Sequence, residues 1–287
     1  VTAPDWHLTE DLDEFLTRAG EFLRSRPVPH TVPLTVTDAL RSRGMHLYGE
    51  GAPVFGVLER DGAVRAAFFR TPPHRLTLTA LSAEEADALA AQLADQGEQL
   101  PGVSAERDTA AAFARAWQRR TGADPAIHTR HRLYRLGELT IPEPTPPGGP
   151  RVAVASDREQ LKCWHVEFGE AVGGGRLLDS DEWADARIAY GGVTLWEAPD
   201  GTPVSMAGVT EKAAGQVRVA PVYTPADLRG RGYAGAVTAE VSRAALAAGA
   251  DEVVLFTDLA NPTSNALYQR IGYRPVADFA MYDFRAG

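Results

Sequence analysis

Residues 216–235 read QVRVAPVYTPADLRGRGYAG, and the rest of the chain is best read outward from them. Val217 to Tyr223 is short, apolar and rich in β-branched residues, the pattern of a strand. Pro225 and Asp227 then mark a turn. Arg229-Gly230-Arg231-Gly232-Tyr233-Ala234 comes next, and apolar residues recur at helical spacing at Val237, Val241, Ala244, Ala245 and Ala248. A strand, a glycine-rich turn and a helix start in this order make an anion site. The leading amides of a helix lack partners within it, and the helix dipole adds partial positive charge there. Gly230 and Gly232 let the backbone approach a ligand without Cβ interference. The chemistry points to a phosphate group.

The run R-G-R-G-Y-A resembles the Gln/Arg-x-x-Gly-x-Gly/Ala signature of the GNAT acetyltransferase superfamily. A second segment resembles the family too: an apolar strand, Val253 to Thr257, then Asp258-Leu-Ala-Asn261-Pro-Thr-Ser-Asn265-Ala-Leu-Tyr268-Gln-Arg-Ile-Gly272-Tyr273. The resemblance covers roughly residues 150 to 287. It implies that Arg229 to Ala234 cradle the pyrophosphate of acetyl-coenzyme A. It also implies an oxyanion-binding amide near Val222, with Tyr223 and Thr224 bordering the pantetheine arm. Tyr268 matches the tyrosine that protonates the departing thiolate, and Asn261 and Asn265 are expected to hold the pantetheine amide or to cap a helix.

A rival reading exists. Gly230-x-Gly232-x-x-Gly235 fits the dinucleotide fingerprint, with Asp258 placed as a ribose-binding acid. Against it, Thr224 to Arg229 separate the first glycine from the strand, and little chain remains for a doubly wound sheet.

The chain has 287 residues, 44% hydrophobic and 23% charged, which suggests two globular domains. A net charge of -9 argues against a nucleic-acid-coating role. Cys163 is the only cysteine, so an internal disulfide and a cysteine-based zinc site are excluded, and no metal is expected. The stretch VTAPDWHLTEDLDEF is acidic and does not read as a signal peptide, and no apolar run is long enough to span a membrane. A cytoplasmic monomer or homodimer is the resulting expectation.

In chain order, residues 5 to 25 read as an amphipathic helix and Val36 to Arg43 as a second. Val54–Arg60 and Ala63–Phe69 flank Asp61-Gly62, a strong hairpin signal. Arg75 to Leu81 reads as a strand, and Ser82 with Glu85 as a capping box opening a helix to about Gln96. Thr109 to Arg120 follows as a helix and His131 to Leu136 as a strand. The segment LTIPEPTPPGGP (139–150) reads as a domain linker. Beyond it the same order returns. Ser156 opens a helix to Ala171, Gly173-Gly-Gly175 breaks it, and Ser180 to Ala189 is helical. A hairpin spans Val193 to Thr210, and the last strand holds Ala280 to Phe284.

The expected fold is therefore α/β with a mixed sheet, as two tandem GNAT-like domains: 1–138, a linker at 139–150, and 151–287. The first domain reads as a degenerate copy. Its strand-to-helix junction near Leu81 to Glu84 has no glycine, and aligning Gly122 with Gly272 sets Gln118 opposite Tyr268.

The expected function is acetyl transfer from acetyl-coenzyme A to the amine of a small molecule by direct attack. Attack needs a base, and Val217 to Tyr223 holds no carboxylate. Glu211, His165, Glu167 and Glu170 are the candidates to act, through water. A non-catalytic acyl-coenzyme-A sensor or partner-binding module is the alternative, and a dinucleotide-dependent oxidoreductase is the third.

Overall fold

In the computed structural model, which describes residues 6–172 and 179–285, Asp61 and Gly62 both take positive φ, 53° and 75°. Two left-handed residues give a two-residue hairpin the twist of its strands. Asp61-Gly62 is thus the register-setting turn of the first of two compact units. That unit begins with strand β1 (Trp6–Thr9) and helices α1 (Leu12–Ser25) and α2 (Thr31–Arg43). The hairpin β2 (Val54–Arg60) and β3 (Ala63–Arg70) follows, then β4 (Leu76–Leu78), α3 (Ala83–Asp95), β5 (Gly102–Glu106), α4 (Arg107–Thr121) and β6 (Asp124–Leu136).

The expected single helix over residues 5 to 25 is corrected here. Trp6–Thr9 pairs antiparallel with Phe55–Leu58, and the Asp11 carboxylate accepts the Asp13 and Glu14 amides, so the helix starts only at Leu12. Ladder hydrogen bonds and a cap together outweigh a helical apolar spacing. Strand β5 carries little sequence signal, being short and opened by a glycine.

The second unit repeats this order: β7 (Gly149–Val152), α5 (Arg158–Ala171), α6 (Ser180–Ala189), β8 (Val193–Glu197), β9 (Pro203–Val209), β10 (Gln216–Tyr223), α7 (Tyr233–Ala247), β11 (Glu252–Asp258), α8 (Pro262–Ile271) and β12 (Tyr273–Arg285). In each unit one parallel pair flanks a helix, β4 with β5 around α3 and β10 with β11 around α7. The expected Gly173-Gly-Gly175 break lies outside the described residues. Ser156 does not cap α5. The Asp157 carboxylate instead accepts the Val154 amide at 2.7 Å and binds Arg151 through two hydrogen bonds, after a short 3-10 turn at Ala155–Asp157.

The units divide the chain elsewhere than at the expected 138 and 151. The first takes residues up to Leu133, then Asp258–Ala260 and everything from Val276, and the second takes Tyr134–Thr257 and Asn261–Pro275. Each long final strand thus starts in one unit and ends in the other. Within the first unit, Phe279 to Asp283 of β12 pair antiparallel with Glu106 to Gly102 of β5. A Cβ on Gly102 would strike the Tyr282 carbonyl oxygen, so only glycine admits that approach. Ala280 enters the core with Phe68, Leu89, Val103 and Phe113, and Phe284 stacks on Trp117 at 6.0 Å. Arg75 donates to Asp283 at 2.8 Å and Arg132 to Asp278 at 2.6 Å. The Pro/Gly segment, expected as a linker, packs within the second unit. Thr140 donates its amide to Ile271, and the Trp196 indole donates to the Pro147 carbonyl at 3.1 Å.

A chain ending at Pro275 should therefore lose the first unit's order. Hydrogen exchange at Val103 to Ala105 would read this as loss of protection. Full protection there in the shortened chain would contradict the strand assignment.

Candidate functional site

The site starts from an irregularity in β10. This strand runs parallel to β11 over Gln216–Arg218. Against β9 its register shifts between Val219, opposite Val209, and Val222, opposite Ala207. Three steps on β10 thus face two on β9, a one-residue bulge of the kind that re-aims a strand end. Gly208 makes room for it, since a Cβ there would stand 2.7 Å from the Ala220 carbonyl oxygen.

Beyond the bulge the strand end is fixed by hydroxyls. Ser205 Oγ donates to the Tyr223 carbonyl at 3.0 Å and lies 2.8 Å from Thr224 Oγ1. Arg229 Nε reaches back to the Thr224 carbonyl at 3.0 Å, and Arg231 Nη2 to that of Asp227 at 3.0 Å. Gly230 and Gly232 both take positive φ, 77° and 85°, and Gly232 is the residue from which α7 starts. Among the described residues no side chain caps α7. Its leading amides, including those of Tyr233 and Ala234, are thus presented by backbone that only glycine adopts without strain. Tyr233 buries its ring in the core, so it offers the turn its amide alone.

The equivalent helix of the first unit is built the other way. On α3, Ser82 Oγ accepts the Glu85 amide, and the buried Glu85 carboxylate accepts the Ser82 amide at 2.8 Å. A fixed carboxylate occupies the anion position of that helix. Gly122 and Gly272 both end their helices in the left-handed conformation.

Strand, turn and α8 meet in one packed cluster that holds Tyr233, Tyr268 and Tyr273, with Val222 and Leu267 against it. Tyr268 is buried, lies edge-on to Tyr273 at 6.1 Å, and has its hydroxyl pKa pushed up to about 12 by burial. The two asparagines are engaged locally. Asn261 Oδ1 accepts the Ser264 amide at 3.0 Å and so caps α8, and its carbonyl accepts Asn265 Nδ2 at 2.8 Å. Asn265 Oδ1 accepts the Tyr134 hydroxyl at 2.9 Å, and Gln269 donates to the same hydroxyl at 3.1 Å. Tyr134 had no sequence signal. It comes from β6, and only the strand's passage into this unit brings it to α8.

The expected bases separate clearly. His165 stacks on Trp183 at 4.3 Å, meets Ser180 at 3.0 Å, and has its pKa lowered to about 4, chiefly by burial and then by Arg187. Glu170 and Glu211 are exposed. Glu167, on α5, reaches β10: the Tyr223 hydroxyl donates to its Oε2 at 2.7 Å. Among the described residues no three His, Cys, Asp or Glu side chains gather as a metal site, and no helix is long and apolar enough to cross a membrane.

Residues 201–280 match the FR47-like protein family model, which covers the bulged strand, the glycine turn and α8. The fold is that of the GNAT superfamily. A GCN5-related N-acetyltransferase from Sphaerobacter thermophilus aligns over 100% of this chain and 98% of its own, with a TM-score of 0.62 and 18% identity. A GCN5-related N-acetyltransferase from Kribbella flavida aligns over 91% and 96%, with a TM-score of 0.54 and 20% identity. A tandem GNAT protein from the clavulanic acid biosynthesis pathway aligns over 97% and 98%, with a TM-score of 0.55 and 13% identity. No curated protein matches the sequence. The dinucleotide reading is set aside by the GNAT fold itself: β7 to β10 are successively antiparallel, whereas a doubly wound dinucleotide sheet is mostly parallel.

His165 gives a pH prediction. Its folded pKa of about 4 lies below the ordinary 6.5, so its neutral, stacked form contributes fully above pH 6.5 and is lost as pH falls toward 4. The loss over that window should reach about 3 kcal/mol. Urea midpoints at pH 7 and pH 4.5 should differ less in His165→Phe than in wild type. An equal difference in both proteins would contradict this.

Proposed function

We propose that the second unit transfers an acetyl group from acetyl-coenzyme A to the amine of a small molecule. The observation that carries this reading is the uncapped start of α7, opened by two left-handed glycines at the end of a bulged strand. On this reading Arg229 to Ala234 hold the pyrophosphate by backbone amides and helix dipole. Val222 to Thr224 border the pantetheine arm. An amide at Val222 steadies the oxyanion, being in place before charge develops. Tyr268 gives its proton to the leaving sulfur. Because that proton is held up to about pH 12, the phenol keeps it across the working range and loses it only as pH nears that value. Asn261 and Asn265 hold α8, and with it Tyr268, in place. The first unit, whose α3 carries its own carboxylate cap, has no coenzyme role in this scheme.

Acetyl-coenzyme A at a hundred times its dissociation constant should stabilise the protein by about 2.7 kcal/mol, and nicotinamide cofactors should not. Gly232→Val should abolish that shift while the protein still folds. The nearest atoms to a Cβ there are those of Pro146 at 3.9 Å, but the side chain must adopt a φ of 85°, and the displaced turn withdraws its amides. An unchanged shift in Gly232→Val, measured by calorimetry or melting, would make the turn merely structural.

Tyr268→Phe keeps the ring and removes the acid. Coenzyme affinity should hold while kcat falls by ~10²–10⁴. Gln118→Ala in the first unit should leave kcat untouched. Coenzyme binding with no turnover of any amine, in wild type and variant alike, would favour the sensor.

A further inference from the structure

We infer that Glu167 is the carboxylate that receives the acceptor as an ammonium ion and takes its proton, held for that work by Tyr223. The inference rests on the acyl-transfer reading and adds its acceptor side: a small primary amine, recognised by its charge.

Strand β10 lacks a proton acceptor. No residue from Gln216 to Tyr223 bears a carboxylate, so a proton acceptor at the strand end must come from another element. Helix α5 supplies one. Tyr223 ends β10, directly after Val222, and its hydroxyl donates to Glu167 Oε2 at 2.7 Å. The Tyr223 ring is buried and lies 6.1 Å from that of Trp164, so its hydroxyl is a fixed donor. On the other side of the carboxylate, Cys163 Sγ meets Oε1 at 3.4 Å. Glu167 itself is half-buried. Each carboxylate oxygen has two lone pairs and uses one in these bonds, which leaves capacity for an ammonium.

The groups around Glu167 do not compete for the task. The Tyr223 proton is pushed up to about 12 by burial and then by Glu167, so the phenol stays a donor near neutrality. The Cys163 thiol is held above its ordinary range by the same carboxylate, and Arg229 acts on Tyr223 from the turn. His165, two residues before it on α5, is turned to Ser180 and Trp183.

The step balances. The ammonium gives one proton to Glu167. The neutral amine adds to the thioester carbonyl, a C–N bond forms and the C–S bond breaks. The sulfur takes the Tyr268 hydroxyl proton, the nitrogen returns its second proton to Tyr268, and Glu167 releases its own to solvent.

Glu167→Gln is the test, since glutamine can keep the Tyr223 bond. Three primary amines with different bodies, ethanolamine, tyramine and spermidine, serve as probes. In the variant, melting with acetyl-coenzyme A should shift as in wild type. Amine-dependent coenzyme release should lose ~10²–10⁴ in kcat/KM, together with its acid-side dependence on an ionised group. Calorimetry without coenzyme should show at least one probe binding wild type and binding the variant about tenfold or more weakly. Undiminished release and an unchanged pH profile in Glu167→Gln would overturn the inference, as would failure of all three probes to bind wild type. If acetyl-coenzyme A fails to stabilise wild type, the acyl-transfer reading falls. The calorimetric comparison then decides the ammonium site independently.

Discussion

A helix must leave its first amides without partners inside the helix, and this chain answers that constraint in two opposite ways. At the start of α3 the chain supplies its own partners, with Ser82 and the buried Glu85 closing the amides in a capping box. At the start of α7 it supplies none, and two left-handed glycines set the turn. Both helices follow the first strand of a parallel pair in their unit. An internal carboxylate makes the first stable and closed to anions. Its omission leaves the second with a standing electrostatic demand for one. The reading of the second unit as the working one depends on this difference.

The geometry around the open helix is held by contacts that are themselves unremarkable. The Ser205 and Thr224 hydroxyls fix the end of β10, and Arg229 ties the turn to the Thr224 carbonyl. Leu267 of α8 would lie 3.0 Å from a Cβ on Gly235, so α7 and α8 approach closely at that point. This seats Tyr268 against the cluster that carries the turn. Tyr134 steadies α8 through Asn265 and Gln269. The proposed acid thus depends on a strand that begins in the first half of the sequence.

What was legible in the sequence was local. Asp61-Gly62 specifies its own hairpin because both residues tolerate left-handed backbone. Ser82 and Glu85 specify their cap three residues apart, and R-G-R-G-Y-A specifies an open helix start. The rest was illegible for a common reason: it depends on pairing between distant residues. Trp6–Thr9 is a strand only because Phe55–Leu58 lies beside it. β12 joins β5 because Gly102 admits it, and nothing in residues 276–285 announces that partner. Ser156 has the residue type of a cap, but the turn before α5 is closed by Asp157, whose carboxylate binds the Val154 amide and the distant-paired Arg151 of β7. Glu167 was one of four candidate carboxylates and histidines, and only its contact with Tyr223 separates it from the others.

The most direct test of the account follows individual backbone amides. Hydrogen exchange with and without acetyl-coenzyme A should show new protection at Gly230 to Gly235, the open start of α7, and no change at Ser82 to Ala86, the closed start of α3. Protection at α3 with none at α7, or no change at either while the coenzyme binds, would contradict it.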